Sequence, residues 1–506
     1  MERRFGSENK QSNITINPPK ILISILTPDR IVMLISKNVI SSAAALILAC
    51  SAVGSFVSAQ DRVIIKGARI IPVSGPEIEV GSILIENGKI VDIGKEIDTP
   101  YEARIIDGTG KVVFPGFVDA HFVRGIDRAN EAYPVTPFIT VADSIDGSSF
   151  DFEDALRDGI TTINVIHGNA QPIAGRAMVV RPIGKTVENM AVVWDGPLKM
   201  SFIPRQFSSH VAQFAEMRRI FGELQDYLDR LQTKREDDEE LKKQQNEEEA
   251  KKDGAKKDIK KDEKPQAPKE VREEEEIDRR KRTLVDLTKG RVPVFVACNA
   301  AEIPFALDFA KKHGFFDKMT LVLGADAWKM VDIIAASGRP VVLDAELVFR
   351  ERDPITGKEI ETPVAPAFTK KGVKFALQTA RTSYSEKYLN TQAAAAVRSG
   401  IERDAALKSI TLWPAEILGL ADRVGSIEKG RDANILILSG DPLSTTTFVE
   451  KVLLEGQLVY ERDKDERLKR LTNISEDTKK RMSDAASKPA ESKPAAGSND
   501  EKSKDK

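Results

Sequence analysis

Apolar runs without internal alternation recur through the middle of this chain: GITTINVIHG, VPVFVACNA, MTLVLGAD, RPVVLDAEL and GVKFALQTA, at residues 159–168, 292–300, 319–326, 339–347 and 372–380. A strand that reads apolar throughout is buried on both faces, the environment of a parallel sheet covered by helices. Helical stretches lie between the runs. AEIPFALDFAKKHG carries Pro304 near its start and Gly314 past its end, the usual asymmetry of a helix. In DAWKMVDIIAASG, Asp326 is placed to cap the start and Gly338 the end. TQAAAAVRSG and ERDAALKSIT continue the pattern. About 300 residues of repeated β-α units predict an α/β fold, a (β/α)8 TIM barrel.

Strand-rich segments flank that region on both sides. VIIKGARIIPV, SILIENGKIVDIG and ARIIDGTGKVV precede it, and Asn87-Gly88 marks a tight hairpin, because a type I′ turn needs positive φ at both central residues. VGSIEKGRDANILILSG and VEKVLLEGQLVYER follow it. The two clusters predict one small composite β-sandwich from residues 60–114 and 424–460, with the barrel over 115–423.

Two stretches fall outside this plan. From about Lys234 to Arg282 the chain is nearly all Lys, Glu, Asp, Arg and Gln, with Leu241, Ile259, Val271 and Ile277 as almost its only larger apolar residues. It cannot bury enough apolar surface to form a core, so a solvated helical or disordered insertion is expected over 234–282, with a lid or partner-binding arm as the functional reading. The tail, 461–506, reads as disordered and charged. Overall net charge is −2, and nothing in it points to nucleic acid.

The first 59 residues read as an extension and an export signal. Met33 is the expected start, Lys37 the positive flank, Ala43 to Phe56 the apolar run, and cleavage is expected near Ala59. The run is short of the ~20 residues needed to span a bilayer. The expected location is periplasmic or secreted, with lipid attachment at Cys50 the less favoured outcome and no transmembrane span in the mature chain.

Together the segments GKIVDIG, GTGKVVFPGFVDAH, DGITTINVIHGNAQPIAGRAMVVRP, WPAEILGLADRVGSIEKGRDANILIL and GDPL resemble the amidohydrolase superfamily, in its imidazolonepropionase-like exported branch. The resemblance spans roughly residues 62–460. It implies a metal-binding barrel with a composite sandwich and metal-assisted hydrolysis of carbon–nitrogen, non-peptide bonds such as cyclic amides. A divalent ion of zinc type lowers the pKa of bound water toward ~7. The family holds it with His-x-His after the first barrel strand, histidines at the ends of the fifth and sixth, and an aspartate at the eighth.

Carried over residue by residue, His121 stands at the first position but Val123 replaces its partner. The fifth strand offers Ala297 and Asn299, the sixth Leu323, the eighth Ala380, followed by Arg381. The chain has only four histidines, His121, His167, His210 and His313. A zinc site wants about three protein ligands and an open position. The favoured expectation is therefore a pseudoenzyme with a binding or assembly role. It would take a small-molecule ligand at the barrel mouth and form a homo-oligomer or a heteromer with an active relative. The alternative is an active hydrolase with a rearranged site around His121 and His167, completed by Asp119 and Asp326 or Asp344, with the metal as cofactor. Weak catalytic candidates are Asp119, His121 and Asp326. The pocket is expected to comprise Asp119, His121, Arg124, His167, Asn299 and Arg381, with Asp119 paired to Arg124 or Arg381. A metal-free enzyme using Asp119, Asp344, Glu346 and Arg381 is a third reading. Cys298 is read as buried rather than nucleophilic, and His313 as structural. Gly168, Asn169 and Gly175, with Arg176 or Arg181, are a candidate anion concavity.

Overall fold

The computed structural model describes residues 62–252, 277–379, 387–472 and 480. The segment expected to be an export signal, Cys50, Ala380, Arg381 and most of the tail lie outside them.

Both ends of the described chain enter one eight-stranded sheet. Its N-terminal members are Arg62–Ile70, Ile78–Glu86, Lys89–Gly94, Arg104–Asp107 and Val112–Pro115, and its C-terminal members Ile435–Leu438, Val449–Leu454 and Gln457–Glu461. The seam is antiparallel, with Leu436 opposite Phe114 and Ile437 opposite Val113. Ile65, Ile83, Ile85, Val113, Ile435 and Leu453 fill one core. Asn87 and Gly88 take φ of 51° and 77°, the hairpin geometry their sequence demands.

The barrel strands are Phe117–Phe122, Ile160–Val165, Leu198–Ser201, Val294–Cys298, Met319–Leu323, Val341–Val342 and Phe375–Ala376. The first two pair in parallel, and so do the last five in chain order. The third position differs from the all-parallel expectation. Ile173–Arg176 and Met178–Val180 run antiparallel to their neighbours. Only residues 166–172 separate Val165 from Ile173, whereas a parallel crossover needs about a dozen residues. The chain therefore turns back. Between the eighth strand and the first, Leu377 N donates to Ser409 O at 3.0 Å and Val118 N to Ile410 O at 2.9 Å, so the C-terminal end of the helix Arg403–Ser409 stands in for direct strand pairing.

Ser201, Ala297, Val322, Val342 and Ala376 lie in one row, each paired in register with the next. The last four share a cluster with Phe295. Cys298 and Leu323 point the other way, into the core beneath the helices.

The expected helix after the fifth strand forms as Ile303–Lys312, with Pro304 in its first turn and Gly314 at φ 80°. Asp326 is not the cap of the next helix. A 3-10 segment, Ala325–Met330, contains it, and the α-helix starts at Val331. The Asp326 carboxylate is engaged elsewhere, accepting from Ala300 N at 3.1 Å.

A 43-residue helix, His210–Lys252, follows the fourth strand. Phe214, Met217, Phe221, Leu224, Leu228 and Leu231 recur at spacings of three and four and pack on the barrel core. Past Leu231 the face turns polar, and Leu241 is exposed. The expected insertion is thus helical from 234 to 252, and 253–276 lie outside the described residues. Its far boundary moves: Ile277 is buried in the core and Asp278 caps the helix Arg279–Thr288. No helix among the described residues is long and apolar enough to cross a membrane.

Candidate functional site at the barrel mouth

Asp119, on the first strand, is fully buried. Its Oδ1 accepts from His121 N at 3.0 Å. Its Oδ2 accepts from Thr379 Oγ1 at 2.6 Å and Thr379 N at 3.2 Å. Arg124 Nη2 donates to the same Thr379 hydroxyl at 3.0 Å and stacks its guanidinium 4.4 Å from the centre of the Phe122 ring. Asp119 is thus joined to Arg124 through Thr379 rather than by a direct pair. Burial raises the Asp119 carboxyl above its ordinary value, with the Thr379 hydroxyl opposing.

His121 is buried with its Nε2 2.8 Å from Lys199 Nζ. Burial first, and then the lysine charge, hold His121 well below its ordinary value. Lys199 comes from the middle of the fourth strand, LKMS, between outward-facing Leu198 and Met200. It has no exposed surface, and burial lowers it to about 7.

His167 follows the second strand. Neither ring nitrogen has a hydrogen-bond partner. The ring abuts Gly175, where a Cβ would stand 2.9 Å from Nε2. Burial lowers His167, the Glu131 charge and the nearby Ala129 backbone carbonyl oppose, and the Lys199 charge adds to the lowering.

The other candidates do not join this group. Asn299 N donates to Glu302 Oε2 at 2.6 Å, and Glu302 Oε1 lies 2.5 Å from His210 Nε2. Asp344 Oδ1 accepts from Glu346 N at 2.8 Å, and Glu346 pairs with Arg350 at 3.1 Å. Cys298 is buried and pushed well above the ordinary thiol range, chiefly by desolvation. His313 ends a helix in an aromatic cluster, its ring 4.3 Å from that of Phe309.

The anion concavity is not formed from the arginines proposed for it. Arg176 donates to Gly196 O and Asp195 O, Arg181 to Glu455 at 2.8 Å, and Gly168 N to Ala129 O at 2.7 Å.

No group of three His, Cys, Asp or Glu side chains placed to hold a metal ion occurs among the described residues. That includes the rearranged set His121, His167, Asp119 with Asp326 or Asp344. Of the positions the resemblance marks, Val123 is half-buried, Ala297 lines the barrel row, and Leu323 faces the helices.

Lys199 and Thr379 were not singled out from the sequence. The signal for Lys199 was available: one lysine inside a strand otherwise buried on both sides, in the segment PLKMSF.

A family model described as the amidohydrolase family matches residues 112–459. A solved amidohydrolase from Thermotoga maritima MSB8 is 27% identical, with a TM-score of 0.63 over 79% of this chain and 100% of that one. A dihydroorotase from Caldicellulosiruptor saccharolyticus is 34% identical over 118 residues, 23% of this chain and 24% of the relative. A 5'-deoxyadenosine deaminase from Methanobrevibacter smithii is 45% identical over 60 residues, 12% of this chain and 14% of the relative. The chain thus spans about a quarter or less of the length of these curated relatives. The match across nearly all of the barrel and into the C-terminal strands, on a fold shared with a solved member, means that this chain belongs to the amidohydrolase family.

Proposed function

We propose that this is an amidohydrolase-family protein that has given up the metal centre and uses the barrel mouth to bind a small molecule or a partner. One observation carries the reading. Nε2 of His121, the one histidine kept at a family ligand position, faces Lys199 Nζ at 2.8 Å. A cation at that nitrogen would meet the Lys199 amine, and the partner position that the resemblance implies two residues on is Val123. The replacement of the other positions by Val123, Ala297, Asn299, Leu323 and Ala380 supports the same reading. In this account the protein is exported and acts as a homo-oligomer or beside an active relative.

A second reading keeps an active hydrolase around His121 and His167. The two unpartnered ring nitrogens of His167 favour it. Calorimetric titration of the full chain with zinc, paired with hydrolysis assays on cyclic amides and purine nucleosides, separates the two. The binding-protein reading predicts no stoichiometric zinc and no turnover. Tight zinc binding with hydrolysis that disappears in His167→Ala establishes the hydrolase.

A further inference from the structure

We propose a second ligand site, for a neutral saccharide, in a cavity between the composite sheet and the barrel. The site goes beyond the reading of the mouth, because no residue of the mouth group lines it, and it stands whether or not a metal binds there.

The cavity measures about 490 Å3. Small-molecule sites run from about 300 to 1,000 Å3 and concentrate where structural units meet. Two tight hairpins wall it on the sheet side. Asn87 and Gly88 turn the chain between Ile78–Glu86 and Lys89–Gly94. Glu455 and Gly456, at φ 46° and 75°, turn it between Val449–Leu454 and Gln457–Glu461. The two turns are tied to one another through Ala433, whose N donates to Gly88 O at 2.8 Å and whose O accepts from Gly456 N at 3.1 Å. They touch closely enough that a Cβ on Gly88 would stand 2.9 Å from Glu455 O. On the barrel side, the segment after Met178–Val180 supplies Arg181, Ile183 and Asn189. A site built on fixed turns loses little freedom when a guest binds.

The lining decides the class of guest. Arg181 and Glu455 are the only charged residues lining the cavity among the described residues, and they pair with each other at 2.8 Å. The other polar side chains are all carboxamides, Asn87, Asn189 and Gln457. All three are exposed, and none makes a side-chain hydrogen bond among the described residues. A carboxamide both donates and accepts, and so does a hydroxyl. Three carboxamides around one cavity therefore match several hydroxyls on one molecule. Ile183, Leu454 and Val459 add an aliphatic surface, which suits the C–H face of a sugar ring. A phosphate or carboxylate would have to break the Arg181–Glu455 pair to find its cation, and an ammonium would have to break it to find its carboxylate. A wholly apolar guest would cover the carboxamides and leave them unsatisfied. A neutral saccharide meets both the polar and the aliphatic parts of the lining.

The test is saturation-transfer NMR of the full chain with maltose and with N,N′-diacetylchitobiose, beside glucuronate, glucosamine and inorganic phosphate. At least one neutral disaccharide is expected to bind saturably. Asn189→Ala and Gln457→Ala, which leave both turns in place, should each weaken that binding about tenfold at an unchanged unfolding temperature. No saturable binding of either disaccharide overturns the site. Binding that both variants leave unchanged also overturns it, because the sugar would then sit elsewhere. Tighter binding of glucuronate, glucosamine or phosphate, abolished by Arg181→Gln or Glu455→Gln, would show that the ion pair opens to a charged guest and would overturn the neutral class.

Discussion

Lys199 gives the stability of the chain a pH dependence of definite sign. Burial lowers it from 10.5 to about 7, so between those values the unfolded chain holds a proton that the folded chain lacks. Stability therefore rises with pH across that window and is lowest below it. Asp158, raised by burial to about 7, acts with the opposite sign below that value, and Cys298, raised well above 9.0, acts only at higher pH. The interval from about pH 7 to 8.5 isolates the lysine. Over it, chemical denaturation of the wild type should gain about 1.5 kcal/mol relative to Lys199→Met; parallel profiles for the two proteins would show that the amine is not desolvated. Thr379→Val leaves buried Asp119 without its 2.6 Å donor and Arg124 without the hydroxyl it donates to. It should cost about 1–3 kcal/mol, and an unchanged denaturation midpoint would remove that network from the account. His121 and the residues at the expected partner positions are legible in the sequence because they lie at or near the C-terminal ends of strands. Lys199 was not, because a reading directed at histidines and carboxylates passes over a lone amine in a short strand. Its partner also lies 78 residues away, and only the fold brings the two together.

The long helix His210–Lys252 has two halves with different energetics. Phe221 is buried between Phe309, His313 and Phe315, with ring centres at 4.9, 4.6 and 5.9 Å. Phe221→Ala should cost about 3–5 kcal/mol, while Leu241→Ala, on the exposed half, should stay within about 0.5 kcal/mol. Equal losses in thermal unfolding would mean that the outer half packs against something. Composition located the charged stretch but not the start of the helix, because Phe214 to Leu231 carries its apolar spacing ahead of it. The reversed third barrel position was legible in principle. Residues 166–172 are too few for a crossover, and Pro172 disfavours a helix there.

At the scale of the molecule, the barrel is joined to a sheet that both ends of the described chain build. Gly116 stands at the junction, and a Cβ there would lie 2.0 Å from Thr161 Oγ1. Gly116→Ala should therefore destabilise by about 1–3 kcal/mol, read as a lowered unfolding temperature; a neutral result would mean that the seam yields. Arg157 binds Asp465 at 2.7 Å and Arg181 binds Glu455 at 2.8 Å, fastening C-terminal segments to the barrel. This composite plan was readable from the two strand clusters, because alternation, turn residues and the Asn87-Gly88 hairpin are local signals. Whether the mouth keeps a metal is not local, since it depends on which side chains converge from separate strands. Elemental mass spectrometry of the full chain, purified without chelator or tag histidines after zinc, manganese and iron supplementation, tests that claim directly. The account predicts metal far below one equivalent per chain. Near-stoichiometric metal that is lost in His121→Ala would contradict it.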